Sequence, residues 1–145
     1  MAQREIEFSK LTFLVVEDQE YVRSLIVQLL KRLGVGQVLE EADGASALTL
    51  LQSTTPDFVL CDIKMDPVDG LEFLREVRLG SGSVGNSQLP VVFLTSDSER
   101  GTVLAAMEND VDGYLIKPVS LNDLKSKIIS VLNKRRTMSW GKTTA

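Results

Sequence analysis

Glu17, Asp18, Asp62, Thr95 and Lys117 each close a short apolar run, after residues 11–16, 58–61, 91–94 and 113–116. Taken singly, each has a plain explanation, since strand ends reach solvent and an acid there is more often a solvated loop residue than a ligand. Together they make a set. Three carboxylates against one ammonium leave about two negative charges uncompensated, the amount a single Mg²⁺ would cancel through hard oxygen ligands. With the cation held by Glu17 and Asp18, Asp62 could act as a nucleophile toward a phosphoryl group, because carboxylates form acyl phosphates and a metal screens the approach of two anions. Lys117 would bring charge, and Thr95 one directed hydrogen bond, to the phosphoryl oxygens.

What the chain lacks narrows the chemistry further. It has no histidine, which removes Ser-His-Asp triads, Cys-His pairs and His-ligated zinc in one step. Its one cysteine, Cys61, lies inside an apolar run and reads as a small core hydrophobe, so redox chemistry is not expected. A net charge of −4 argues against a nucleic-acid partner. The basic cluster Lys134-Arg135-Arg136 reads as the last turn of a helix, where cations favour the negative end of the dipole. Hydrophobic residues at 43% and charged residues at 25% are the balance of an ordinary globular protein. No run approaches the roughly 18 to 20 apolar residues of a membrane span, and the polar start MAQREIEFSK is not a secretory signal. A cytoplasmic protein with no membrane partner is expected.

The elements that must position these residues follow from periodicity. The run 11–16 is a buried strand. Val22, Leu25, Ile26, Leu29, Leu30 and Leu33 then recur at three- and four-residue spacing, an amphipathic helix that Gly34 would stop. A short strand over 37–41 is followed by a helix with Asp43 as N-cap and Ala47, Leu48 and Leu51 as its buried side, ended by Pro56. After the strand 58–61 a third helix begins near Asp69 and turns Leu71, Leu74 and Val77 inward. A Gly/Ser loop over 80–87 precedes the strand 91–94, and a weakly amphipathic helix is expected over 98–109, with Gly101, Ala105 and Ala106. The strand 113–116 leads to a final helix capped by Ser120, with Asp123 completing a capping box and Leu121, Leu124, Ile128 and Leu132 inward. Strand and helix alternate five times, so the strands should lie parallel with helices on both faces, a doubly wound α/β fold whose ligands sit beyond the carboxyl ends of the strands. The 145 residues leave room for one domain, 11–136, between an N-terminal overhang, 1–10, and a C-terminal tail, 137–145, that carries Trp140.

At this point the sequence resembles the response-regulator receiver family, of the single-domain, chemotaxis-regulator-like type. The motifs are LVVED, VLCDIKM followed by DG, VVFLTS and GYLIKPVS, in family order and spacing from about residue 11 to 134. The resemblance implies a flavodoxin-like sheet of order 2-1-3-4-5, direct Mg²⁺ binding by Asp18, a water-mediated role for Glu17, and phosphorylation on Asp62. It also implies that the backbone carbonyl of Lys64 completes the metal shell, that Thr95 is the switch hydroxyl, that Lys117 binds phosphate and that Tyr114 is the switch aromatic. The peptide bond before Pro118 is expected cis. Three details depart from the usual pattern: Glu17 stands where Asp is commoner, the proline of Met65-Asp66-Pro67-Val68-Asp69-Gly70 sits one place late, and Lys64 and Asp97 flank the expected phosphoryl site.

The function implied is a phosphoacceptor switch rather than an enzyme acting on an external substrate, one that takes part in its own phosphorylation and slow dephosphorylation in two-component signalling or a phosphorelay. Without histidine the chain cannot phosphorylate itself through a phosphohistidine, so a sensor histidine kinase, a histidine phosphotransfer protein or a small acyl phosphate must be the donor. Output would be contact with another protein at the face made by the fourth expected helix, the fifth strand and the last helix. An alternative is a receiver-like scaffold that binds partners without phosphorylation. A phosphohydrolase of the haloacid dehalogenase type would require an acid two residues after Asp62, where Lys64 stands.

Overall fold

Alternating strand residues feed two separate cores. The computed structural model describes residues 6–80, 87–96 and 108–143, with side chains through 135. Its strands are β1 (Thr12–Val16), β2 (Gln37–Glu41), β3 (Phe58–Asp62), β4 (Val91–Thr95) and β5 (Gly113–Ile116), all parallel, in the order β2-β1-β3-β4-β5. This is the doubly wound, flavodoxin-like arrangement expected. Because successive strand side chains point to opposite faces, Leu14, Val16, Val59, Cys61, Val91 and Phe93 enter one core. Phe13, Val15, Phe58, Leu60, Val92 and Leu94 enter the other, where the Phe13 and Phe58 rings stack at 5.0 Å between centroids.

Helices α2 (Gly44–Leu51) and α3 (Gly70–Leu79) cover the first core through Ala47, Leu51, Phe73, Leu74 and Val77. Helices α1 (Glu20–Leu33) and α4 (Leu121–Thr143) cover the second through Ile26, Val27, Leu30, Leu124, Ile128 and Val131. The α1 stripe is rotated from the sequence expectation. Val27 is buried, whereas Leu25 is 42% exposed. Residues 97–107, which hold Asp97 and all but the last two residues of the helix expected over 98–109, lie outside the described residues with most of the Gly/Ser loop, and residues 108–110 form a turn.

Helix ends follow local chemistry. Gly34, at φ 89°, closes α1 with its N–H donating to the Leu30 and Lys31 carbonyls, a left-handed conformation that glycine adopts without a Cβ clash. Asp43 and Asp69 cap α2 and α3 by accepting from the N–H groups of Ser46 and Glu72, and Ser120 Oγ accepts from the N–H of Asp123 at 3.1 Å. Helix α4 runs to Thr143, so Lys134-Arg135-Arg136 is not its last turn as the sequence suggested. Arg135 has a different role: its Nε donates to Asp112 Oδ1 at 2.7 Å and its Nη2 to Oδ2 at 2.9 Å. Ahead of β1, Phe8 packs partly against the second core and its carbonyl accepts from Gly36 N–H at 3.0 Å.

Asp112 is the centre of a clamp at the amino ends of β4 and β5. Besides Arg135 it accepts from Arg78 Nη2 at 3.0 Å and from Val91 N–H at 2.8 Å. Arg78 also donates to the carbonyls of Ser87, Leu89 and Asp110. One guanidinium thus ties α3 to the segments entering β4 and β5. Burial pulls the Arg78 pKa below its usual value, against the opposing attraction of Asp112.

Candidate functional site

Strand register brings the polar residues of the sequence to one edge. Val16 lies opposite Cys61, so the next residues, Glu17 and Asp62, emerge side by side, and Asp62 lies opposite Leu94, one residue before Thr95. Thr95 lies opposite Ile116, and its carbonyl accepts from Lys117 N–H at 2.7 Å. Apolar strand bodies therefore carry four strand ends to a common mouth, as the sequence suggested.

The mouth holds a compact charge cluster. Carboxylate oxygens of Glu17, Asp18 and Asp62 lie within 4.8 Å of one another. Lys117 Nζ stands 3.1 Å from Asp62 Oδ1 and 3.4 Å from Glu17 Oε2. Glu17 is fully buried, Asp62 is 7% exposed and Asp18 faces solvent. Burial, with the adjacent Asp62 charge, pushes the Glu17 pKa up from 4.5 to about 7, against the pull of Lys117. Burial also pulls Lys117 down, but Asp62 and Glu17 together leave its ammonium above the usual value. Beneath Asp62, burial raises the Cys61 thiol well above its usual range, and the side chain is inert core, as expected.

Among the described residues, Glu17 Oε1 is a buried oxygen with no hydrogen-bond partner. Such an atom calls for an explanation, and a bound ion is one. An unsatisfied carboxylate oxygen, two further carboxylates and one opposing ammonium are hard donors with surplus negative charge, the requirement of a divalent cation of the Mg²⁺ class. The residues present fit such an ion.

Of the other expected site residues, Thr95 is buried and its Oγ1 donates to the carbonyl of Ser96 at 3.0 Å. Tyr114 is 43% exposed on β5. Lys64 lies at the surface two residues past Asp62, and the Lys117-Pro118 bond is cis. The Asp66-Pro67 bond in the displaced-proline loop is cis as well.

Two residues to which the sequence reading assigned no role also contribute. Gly70 N–H donates to the Ile63 carbonyl at 2.8 Å, and a Cβ on Gly70 would lie 2.6 Å from the Asp62 carbonyl oxygen, so only glycine permits this approach to the strand end that bears Asp62. The Asp-Gly pair at a helix start was its sole signal. Arg23 Nη1 donates to the Glu17 carbonyl at 2.7 Å and its Nε to Glu40 Oε1 at 3.2 Å. Its signal was a cation in the first turn of a helix, against the dipole preference.

The family model described as the response regulator receiver domain matches residues 13–129. The chain is similar to the chemotaxis protein CheY of Pseudomonas aeruginosa, 33% identical over 121 residues, which are 83% of this chain and 95% of that protein. Among solved structures it resembles the chemotaxis protein CheY4 of Vibrio cholerae, with a TM-score of 0.75 and 26% identity over 83% of this chain and 98% of that one. It also resembles the receiver domain of a sensor histidine kinase from Pseudomonas aeruginosa with a magnesium ion coordinated in its active-site cleft, with a TM-score of 0.70 and 26% identity over 80% of this chain and 92% of that one. Motifs, sheet order and the acidic mouth agree with the family match, and the chain belongs to the response regulator receiver domain family.

Proposed function

We propose that this receiver accepts a phosphoryl group on Asp62 in a Mg²⁺-dependent reaction and thereby switches its contacts with another protein. The observation that carries the reading is Lys117 standing 3.1 Å from Asp62 inside a cluster of three carboxylates. Glu17, Asp18 and Asp62 would hold the cation, with the Lys64 backbone carbonyl as a further ligand. When bound, Mg²⁺ supplies positive charge that screens the attacking carboxylate from the phosphoryl oxygens. The magnesium ion in the kinase receiver's cleft supports this assignment.

Asp62 supplies the nucleophilic oxygen. A new O–P bond forms at its carboxylate as the bond from phosphorus to the donor's imidazole nitrogen, or to the oxygen of a small acyl phosphate, breaks, and the departing group keeps the electron pair. Lys117 already faces Asp62, so its ammonium meets charge on the incoming oxygens without travelling far. Thr95 would exchange its bond to the Ser96 carbonyl for one to a phosphoryl oxygen, leaving space into which Tyr114 turns from its half-exposed position. The two arrangements pre-exist, and phosphorylation shifts their populations. The donor is a sensor histidine kinase or a histidine phosphotransfer protein, and the readout face includes β5 and α4. Among the described residues no helix is long and apolar enough to cross a membrane, and we assign the protein to the cytoplasm.

Intact-mass analysis after incubation with a small acyl phosphate tests the reading. We expect one labile phosphoryl adduct that needs Mg²⁺ and is lost in Asp62→Asn. An adduct that survives either change would overturn it, as would no adduct with acyl phosphate or with any of several histidine kinases.

A further inference from the structure

We infer that Arg23 is a positioning residue for the acid pair, setting how Glu17 and Asp18 are presented to a cation; the inference rests on the reading of the mouth as a cation site. The Glu17 carbonyl that receives Arg23 Nη1 at 2.7 Å belongs to the peptide whose nitrogen is that of Asp18. Glu17 N–H is held in turn by the Glu41 carbonyl at 3.1 Å. Backbone bonds on both sides of Glu17 thus lock the turn from which a fully buried carboxylate and a solvent-exposed one come within 4.8 Å of each other. Rotation of that one peptide would swing the two side chains apart.

A plain surface ion pair does not account for the arrangement. The Arg23 side chain is 17% exposed and Glu40 47%, and such pairs contribute little. A pair alone would not need the second bond. Here Glu40 accepts from Nε, which orients the planar guanidinium and leaves Nη1 aimed at the Glu17 carbonyl, the geometric use for which a rigid fork is suited and a lysine is not. The Glu40 charge also offsets the guanidinium, so that a cation near the acid pair is not repelled by an uncompensated neighbour. Arg23 lies one turn into α1, and its own N–H donates to the Gln19 carbonyl at 2.9 Å, so the clamp spans β2, the β1–α1 turn and α1.

The experiment measures Mg²⁺ affinity by calorimetry at pH 8 on the native chain, Arg23→Ala and Arg23→Lys, and, separately, the rate of adduct formation from acyl phosphate at saturating Mg²⁺. Loss of one hydrogen bond from a charged donor should weaken Mg²⁺ binding about tenfold in Arg23→Ala. Arg23→Lys, with a single donor nitrogen and no fork, should fall between, and the rate at saturating Mg²⁺ should stay within about twofold of native, because Asp62 and Lys117 are untouched. Native-like Mg²⁺ affinity in Arg23→Ala overturns the inference, whatever happens to its melting temperature, and so does a collapsed rate with affinity intact. Should Arg23→Ala fail to fold, Arg23→Lys decides: about threefold weaker binding supports the role and unchanged binding overturns it. Absence of Mg²⁺ binding by the native chain would instead remove the cation site itself, a separate failure from equal binding by native and variant.

Discussion

Glu17 places a titratable group, fully buried and partly unpaired, at the centre of the mouth, and its cost can be measured. Its pKa stands at about 7 in the folded chain against an ordinary 4.5. Folding therefore favours the protonated form. The stabilisation that protonation provides is complete below pH 4.5 and is lost as pH rises through 7, so the metal-free protein should weaken across this window. At about 1.4 kcal/mol per pH unit, the displacement amounts to about 3 kcal/mol. Glu17→Gln keeps the shape and removes the titration. In chelator, urea unfolding of the two proteins should differ by under about 1 kcal/mol at pH 5 and by about 3 kcal/mol at pH 8, with the variant the more stable. Mg²⁺ should reverse the order at pH 8, because binding to the ionised carboxylate stabilises the native chain by mass action and the variant has lost that ligand. A native-minus-variant difference that is flat from pH 5 to pH 8 in chelator would refute the reasoning, since the cost would then not be that of a buried charge.

Two further outcomes follow, one beside the site and one at the opposite end of the sheet. Gly70→Ala should cost about 1–3 kcal/mol in chemical denaturation and slow adduct formation, because its Cβ can be accommodated only by moving the Asp62–Ile63 backbone; a native rate would show that the approach does not position Asp62. Asp112→Ala leaves Arg78 and Arg135 without their shared carboxylate and should destabilise the fold by about 3 kcal/mol, read from denaturant midpoints, while folded protein still forms the Asp62 adduct.

Four of the five strands were legible because they are apolar runs of four to six residues, and in parallel order the acid, threonine or lysine after each run must reach the same edge. The α1 stripe was legible only to within a rotation. Leu25 fits the three- and four-residue spacing as well as Val27 does, and what decides between them is the angle at which the helix crosses the sheet, which hydropathy does not encode. The end of α4 was misplaced for a related reason: Lys134-Arg135-Arg136 has the composition of a last turn, but Arg135 faces Asp112, 23 positions earlier in the chain, a pairing without local signature. Gly70 and the Nη1 of Arg23 act on backbone atoms of Glu17, Asp62 and Ile63, and such contacts leave no complementary residue type to search for.

The two charged clusters at opposite ends of the sheet differ in the property that separates support from function. At the amino ends of β4 and β5, Asp112 takes hydrogen bonds on both oxygens, and two guanidinium groups and a backbone N–H meet one carboxylate. Two guanidinium groups are met there by Asp112 and by the nearby charge of Asp110, and Arg78 spends its remaining donors on carbonyls, so Asp112 has no pairing left to seek. At the carboxyl ends, three carboxylates face one ammonium, and a buried oxygen of Glu17 has no partner among the described residues. Apolar replacements of similar volume would relieve that end, since a buried carboxylate without a matching charge is among the larger costs a fold can carry. Stability does not explain the arrangement. An incoming cation, and then a phosphoryl group drawn to that cation and to Lys117, would supply the charges the mouth lacks. The same deficit that destabilises the metal-free state is thus the driving force for binding, and a variant that removes it should gain stability and lose Mg²⁺ affinity together.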